Sequence, residues 1–361
     1  MPFLKGARLF DIPIRYLTLR KGINYLKYMK DVKSRRVVTS SYPPDITFQA
    51  SAYCNTNCRL CPVGLGIKGP PKGFLSLESF KKVIDELKDV LIKITFADWG
   101  EPFLNPDIFD MIRYAEENKV ITHASTNLHW FKNEDDLRKL SESGLSFLTI
   151  SLHGITQETY GLYQPGKDFE TTVEKIKTLV AQKKGSRKPV IYITFAITKR
   201  NQHELEHMNQ FTESLKARST IYTASLNLRF HPTNTWKDLV NNWAQEGKSN
   251  LGVEGFIEKK GICNVYEAIR RGTRVSFTEL DELGLSYKHL CQDPWRILVV
   301  NWNGTISLCC VDYWKYEMGN IYEEPVKKIW NNERYQAVRK YLLGQLPDKD
   351  VDFPCKACIH C

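Results

Sequence analysis

Long apolar runs are missing from this chain of 361 residues. No stretch reaches the roughly 18 consecutive apolar residues of a membrane-spanning helix, so none is expected. The N-terminus is charged but has no apolar core followed by a small-residue cleavage site, so no signal peptide is expected. Internal repeats and low-complexity segments are also absent. Acidic residues are the minority: 41 Asp and Glu face 51 Lys and Arg, a net charge of +10. Most of that excess sits in residues 1–36, with Lys5, Arg8, Arg15, Arg20, Lys21, Lys27, Lys30, Lys33, Arg35 and Arg36 against Asp11 and Asp31. The remaining body is nearly neutral, which argues against nucleic acid as a partner of its main surface. Within the arm, Tyr16, Leu17, Ile23, Leu26, Tyr28 and Met29 interleave with the charges. Such a basic amphipathic helix either docks on the body with a solvated basic face or makes peripheral contact with an anionic membrane. At 42% hydrophobic residues the chain can bury one large domain and a smaller one.

Ten cysteines are present, and their clustering argues against a disulfide framework. Grouped thiols at metal spacing point to a reducing, cytoplasmic setting. Three lie in the run Ala52-Tyr53-Cys54-Asn55-Thr56-Asn57-Cys58-Arg59-Leu60-Cys61-Pro62. Thiolates at this spacing can hold three irons of a four-iron cluster, leaving the fourth open to an outside molecule. No His, Asp or Glu in this short loop closes a four-ligand zinc site. A zinc knuckle completed from elsewhere, or three unrelated buried thiols, remains the alternative.

The cysteine spacing, with Leu60 and Pro62 around the last thiol, resembles the radical S-adenosylmethionine (SAM) superfamily. In that family the amino and carboxylate groups of SAM chelate the open iron of a 4Fe–4S cluster. Reductive cleavage then gives a 5′-deoxyadenosyl radical that takes hydrogen from unactivated C–H bonds. The resemblance implies an electron donor such as flavodoxin or ferredoxin.

After Pro43-Pro44, apolar runs alternate with helical patterns. Strands are expected at Ile46–Ser51, Leu91–Ala97, Val120–Ser125, Phe147–Leu152, Val190–Ile197 and Thr220–Asn227. Helices are expected near 77–88, 106–117, 133–142, 168–182 and 202–215. Ser76 gives a capping signal, and Gly144 and Gly185 give stop signals. The order predicts an α/β fold with a parallel sheet. Six strands match the partial (β/α)6 TIM-like barrel of the family, with functional residues at the C-terminal strand ends. The expected organisation is a basic arm over 1–45, a core barrel over 46–231, a bridging region over 232–290 and a small α+β auxiliary-cluster domain over 291–361.

Strand two ends in Asp98-Trp99-Gly100-Glu101-Pro102, resembling the family's Gly-Gly-Glu-Pro motif that holds the SAM amino group. Trp99 replaces the first glycine. By resemblance Glu101 would accept from the ammonium, and Ser125, Asn127, Ser151 and His153 would contact SAM or substrate. Plain strand-end turn chemistry is the alternative, for His153-Gly154 above all.

Near the C-terminus, Asn303-Gly304 is a hairpin signal between Ile297–Asn301 and Thr305–Cys309. Cys291 and Cys309 with the late Cys355-x2-Cys358-x2-Cys361 resemble the SPASM/twitch extensions of radical SAM enzymes. Only six cysteines follow residue 280, so one auxiliary 4Fe–4S cluster is expected, held by Cys291, Cys309, Cys355 and Cys358. Cys310 and Cys361 are alternates, and zinc is the alternative metal.

The core motifs specify radical initiation and not the substrate. The leading expectation is hydrogen abstraction from a sugar, cyclitol or nucleotide- or lipid-linked sugar, ending in oxidation or epimerisation. In oxidation the auxiliary cluster would take the substrate's electron; in epimerisation a thiol would return hydrogen, and Cys263 is the one cysteine outside both groups. Against that role, a lone cysteine is commonly just a small buried hydrophobe. The alternative is a peptide or protein modifier. An electron carrier without enzymatic activity would leave Glu101 and an open iron without purpose.

Overall fold

The computed structural model describes residues 14–59, 61, 63, 64, 66, 71–197, 200–223, 291–309, 316–347 and 355. Cys263, Cys310, Cys358, Cys361 and the bridging region 232–290 lie outside the described residues. Six strands run parallel in chain order: β1 (Asp45–Phe48), β2 (Lys93–Phe96), β3 (Ile121–Thr126), β4 (Phe147–Ser151), β5 (Val190–Ile197) and β6 (Arg218–Thr223). The first helix, α1 (Leu19–Ser34), precedes them. Between them come α2 (Leu77–Leu87), α3 (Ile108–Glu117), α4 (Glu134–Glu142), α5 (Gln157–Tyr163), α6 (Phe169–Gln182) and α7 (Leu205–Ser214). Ser76 caps α2 by accepting the Ser79 N–H, as its sequence signal predicts. Gly144 and Gly185, with φ of 83° and 82°, end α4 and α6 in the left-handed region that glycine tolerates.

Alternate strand residues divide the sheet into two faces. Ile46, Phe48, Ile94, Phe96, Ala124, Leu148, Ile150, Ile193 and Phe195 share one core with the helix residues Phe80, Ile84, Met111, Leu140 and Leu179. Their neighbours Thr47, Thr95, His123, Ser125, Thr149, Ser151 and Thr194 therefore face the concave side. Strand one stops short of its expected end because residues 50–52 turn to pair with the returning limb of the next loop. Leu75 N–H donates to Ala50 O at 3.0 Å, Ala52 N–H to Gly73 O at 3.0 Å, and Ser51 bridges Phe74.

The C-terminal hairpin is more than an appended module. Its first strand, β7 (Ile297–Val300), runs parallel to β1 on the edge β2 leaves open, from Asp45↔Ile297 to Phe48↔Val300. Antiparallel β8 (Thr305–Ser307) and β9 (Glu317–Asn320) follow, giving one nine-stranded sheet ordered β6-β5-β4-β3-β2-β1-β7-β8-β9. Covering that edge satisfies the ladder groups of β1. The last helix, α8 (Glu333–Leu342), is pinned by Arg339, whose guanidinium donates to the carbonyls of Pro294, Val37 and Trp330.

The arm closes the opposite end. Tyr16 packs with Ile92 and Ile121 beneath the strands, and its hydroxyl donates to Glu116 at 2.6 Å. The buried face of α1 is polar: Lys21, Asn24 and Asp31 are all but inaccessible. Lys21 donates to Lys119 O, and burial lowers its pKa to about 8. Asn24 exchanges hydrogen bonds with the backbone of Tyr42, and Asp31 accepts the N–H groups of Ser40 and Ser41 at 2.8 Å. These partners precede β1 and β3, so α1 crosses the N-terminal strand ends. Among the described residues no helix is long and apolar enough to cross a membrane.

Candidate functional site

The loop carrying Cys54, Cys58 and Cys61 leaves the C-terminal end of β1 and is held from three sides. Glu101 N–H donates to Tyr53 O at 2.8 Å, Arg59 N–H to Tyr163 O at 3.1 Å, and Tyr53 N–H to Ser51 Oγ at 3.0 Å. Gly64 lies so close under Cys58 that a Cβ there would stand 2.4 Å from the Cys58 carbonyl oxygen. Thr56 Oγ1 sits 3.2 Å from the Cys54 sulfur and 3.4 Å from that of Cys58.

Burial pushes the Cys58 thiol up to about 12 and Cys61 to about 11, with each raised further by neighbouring cysteines. Backbone groups of Gly64 and Val63 hydrogen-bond the Cys61 sulfur and favour its thiolate. Desolvated thiols within electrostatic range of one another ionise only against a strong cationic partner. Among the described residues no three His, Cys, Asp or Glu side chains close on a single ion. Three thiols of one short loop, brought within electrostatic range of one another, are a donor set that fits an iron–sulfur cluster.

The ends of β2 and β3 meet beside that loop. A Cβ on Gly100 would lie 1.9 Å from Ser51 O, so only glycine lets the β2 turn reach the loop. Glu101 is buried; its Oε1 accepts from Thr126 Oγ1 at 2.9 Å and Phe103 N–H at 3.3 Å, and its Oε2 from Asn127 N–H at 2.8 Å. Desolvation raises its pKa to about 7, against the pull of those donors. Much of its hydrogen-bonding capacity thus ties β2 to β3. Asn127 Nδ2 donates to Asn55 Oδ1 at 2.8 Å and lies 3.7 Å from the Cys54 sulfur. Glu101, Asn127 and the cysteine loop are therefore one connected unit.

Ser125 and Ser151 are half-buried near the concave strand ends, and Ser151 O accepts from Gln164 Nε2 at 2.8 Å. His153 is turned differently. Its backbone is left-handed at φ 64°, its ring lies 4.0 Å from that of Tyr163, and Nδ1 accepts the Ala196 N–H at 3.1 Å. Burial lowers its pKa to about 3, so the ring is neutral. Asn201 Nδ2 completes this lock between β4 and β5 by donating to His153 O and Ala196 O.

A profile of the radical SAM superfamily matches residues 49–212, and one of an iron–sulfur cluster-binding domain, SPASM, matches residues 291–361. The chain belongs to the radical SAM superfamily. Its C-terminal region is a SPASM iron–sulfur domain. It is 24% identical over 310 residues to an AdoMet-dependent heme synthase of Methanosarcina barkeri, covering 82% of this chain and 84% of that one. It is 25% identical over 324 residues to the mycofactocin maturase MftC of Mycobacterium ulcerans, covering 88% and 80%. Among solved structures, SuiB of Streptococcus suis bound to S-adenosylmethionine shares the fold with a TM-score of 0.62 at 15% identity, covering 88% of this chain and 72% of SuiB.

In this radical SAM enzyme Cys54, Cys58 and Cys61 are the residues that would hold the SAM-binding 4Fe–4S cluster. With SAM bound, that group supplies the hydrogen-abstracting 5′-deoxyadenosyl radical. Of the SPASM cysteines, Cys291 precedes β7 and Cys309 follows β8, so the hairpin sets both toward its open end. Cys355 is buried in the main core, while Cys358 lies outside the described residues.

Several residues of the radical SAM site escape motif reading. Gln49 spans the two halves, donating from Nε2 to Trp99 O at 3.1 Å while its Oε1 lies 3.5 Å from Trp302 N. Trp302 donates to Pro71 O at 3.0 Å and fills the space a side chain at Gly73 would need. The C-terminal hairpin thus clamps the returning limb of the cysteine loop. In the sequence Gln49 is one more polar residue of the alternating run Ile46–Ser51, and Trp302 acts across some 230 residues, so neither stands out locally.

Proposed function

We propose that this enzyme abstracts hydrogen from a hydroxylated small molecule, a sugar, cyclitol or nucleotide-linked sugar, and oxidises or epimerises it. The supporting observation is the lining of the concave barrel face. On that face the hydroxyl residues Ser125, Thr149, Ser151 and Thr194 lie toward the strand ends that the cysteine loop leaves, with Thr95 and His123 one register level deeper. Such groups both donate and accept, which suits a substrate dense in hydroxyls. Deeper in, His123 shares a hydrogen bond of 2.8 Å with Thr149, and burial keeps its ring neutral. At the floor, Lys93 and Asp45 neutralise each other at 3.0 Å.

Cys263 is carried in this proposal as the hydrogen donor of an epimerisation. Cys263→Ala should then spare SAM cleavage and abolish inversion; inversion in that variant removes the role. Flavodoxin or ferredoxin is the proposed reductant.

A second reading, peptide modification, is favoured by relatives. MftC is named a maturase, and SuiB is described bound to its precursor peptide SuiA, with a TM-score of 0.61 to this chain. The test is 5′-deoxyadenosine formation by the reconstituted enzyme with fractions from its source cell. Stimulation by small polar metabolites supports the hydroxylated substrate. Stimulation by peptides alone overturns it in favour of the second reading.

A further inference from the structure

Helix α1 is turned inside out relative to an ordinary amphipathic surface helix. Its buried face is Lys21, Asn24, Tyr28 and Asp31, while Leu19 is 81% exposed, Leu26 66%, Met29 50% and Ile23 46%. Leu19, Ile23 and Leu26 recur at helical spacing on one face, Lys30 and Lys33 continue that face toward the C-terminal end of the helix, and Met29 stands alongside. Lys27, Lys30 and Lys33 are exposed, and no ion pair to any of them is found among the described residues. The polar face cannot be exchanged for the apolar one. Lys21, Asn24 and Asp31 are committed to backbone groups at the N-terminal strand ends, so the apolar stripe is fixed outward.

We infer that this outer face of α1 is a docking surface for an anionic lipid bilayer. Charge complementarity selects the occupant. Residues 1–36 carry most of the chain's +10 excess, and on α1 exposed lysines flank the apolar stripe at Lys27 and prolong it at Lys30 and Lys33. Long lysine stems can lie along Leu19, Ile23 and Leu26 with their ammonium groups at headgroup level. A protein groove covering the whole face would instead have to desolvate Lys30 and Lys33 at one end of its contact. The orientation follows from the fold. Because α1 lies beneath the N-terminal strand ends, a docked molecule turns the cysteine loop, at the C-terminal ends, away from the bilayer. Docking therefore holds the enzyme at a surface while its site opens to water. The inference is independent of the substrate reading.

The test is co-sedimentation of the full-length reconstituted protein with vesicles of phosphatidylcholine, with and without phosphatidylserine. Removing residues 1–36 is unsuitable, because Tyr16, Lys21 and Asp31 would go with them. The double variant Leu19→Glu/Leu26→Glu and the triple variant Lys27→Glu/Lys30→Glu/Lys33→Glu alter exposed positions only. The expected result is binding to the phosphatidylserine vesicles that weakens with salt, with about a tenfold or greater loss in each variant. Thermal melting should be unchanged in both; if one variant fails to fold, the other still decides. Wild-type protein that ignores anionic vesicles overturns the inference, as does equal binding by both variants. So does a stripe whose substitution only splits a dimer, which would assign the face to a second copy of the chain.

Discussion

Asn127 donates its backbone N–H to Glu101 Oε2 at 2.8 Å while its side chain reaches Asn55 in the cysteine loop, also at 2.8 Å. One residue at the end of β3 thereby couples the carboxylate after β2 to the loop that carries Cys54. Glu101 positions the site from beneath, whatever it also offers to SAM. Removing its acceptor oxygens, as in Glu101→Ala, should loosen the loop.

The pH dependence of the metal-free protein follows from Glu101. Burial raises its folded pKa from 4.5 to about 7, so the folded state favours the protonated form. Its contribution is full below the unfolded value and is lost as pH rises through 7. The shift corresponds to about 3 kcal/mol over that window. Denaturant melts of the wild type should show this decline between pH 5 and 8, and Glu101→Gln should flatten it. Parallel pH profiles for the two proteins would contradict the assignment.

Gly100→Ala should disrupt the cysteine loop without touching a ligand. Its new Cβ would collide with the Ser51 carbonyl oxygen at 1.9 Å, a backbone atom with no rotamer to swing aside. Overpacking of this kind costs about 1–3 kcal/mol, borne here by the residues leading into Cys54. Iron bound after reconstitution should fall, and SAM cleavage with it. Full iron loading in the variant would show that the loop has room to shift.

The ion pair at the barrel floor gives a stability test. Asp45→Asn leaves Lys93 buried opposite a neutral group, and breaking a buried pair typically costs about 3–5 kcal/mol. Adding Lys93→Met should recover most of that loss. A double variant no more stable than the single one would mean the pair is not the source.

The parallel barrel was readable because each strand–helix unit is local: Ile94 and Phe96, or Leu148 and Ile150, alternate with polar residues at strand period, and Ser76 caps α2 from three residues away. The cysteine loop was readable because three ligands stand within eight residues. Helix α5 was missed; it is one short segment, Gln157–Tyr163, with Gly161 inside it. The placement of β7 against β1 was missed for another reason. It pairs residues about 250 apart, and nothing local in Ile297–Val300 distinguishes joining the barrel from forming a separate sheet. In α1 the amphipathic pattern was legible but its direction was not. Which face turns inward is decided by backbone acceptors at Lys119 and Tyr42, remote in sequence from Lys21 and near Asn24 only through a turn.

The most direct test of the radical SAM site is 5′-deoxyadenosine formation, with iron content, for wild type and Cys58→Ala under anaerobic reduction with SAM. Cys58 stands at the centre of the ligand loop, in electrostatic contact with Cys54 and Cys61. The wild type should cleave SAM. The variant should form no 5′-deoxyadenosine and keep only the iron of the SPASM domain. Undiminished 5′-deoxyadenosine from Cys58→Ala would contradict the assignment of this loop as the seat of the chemistry.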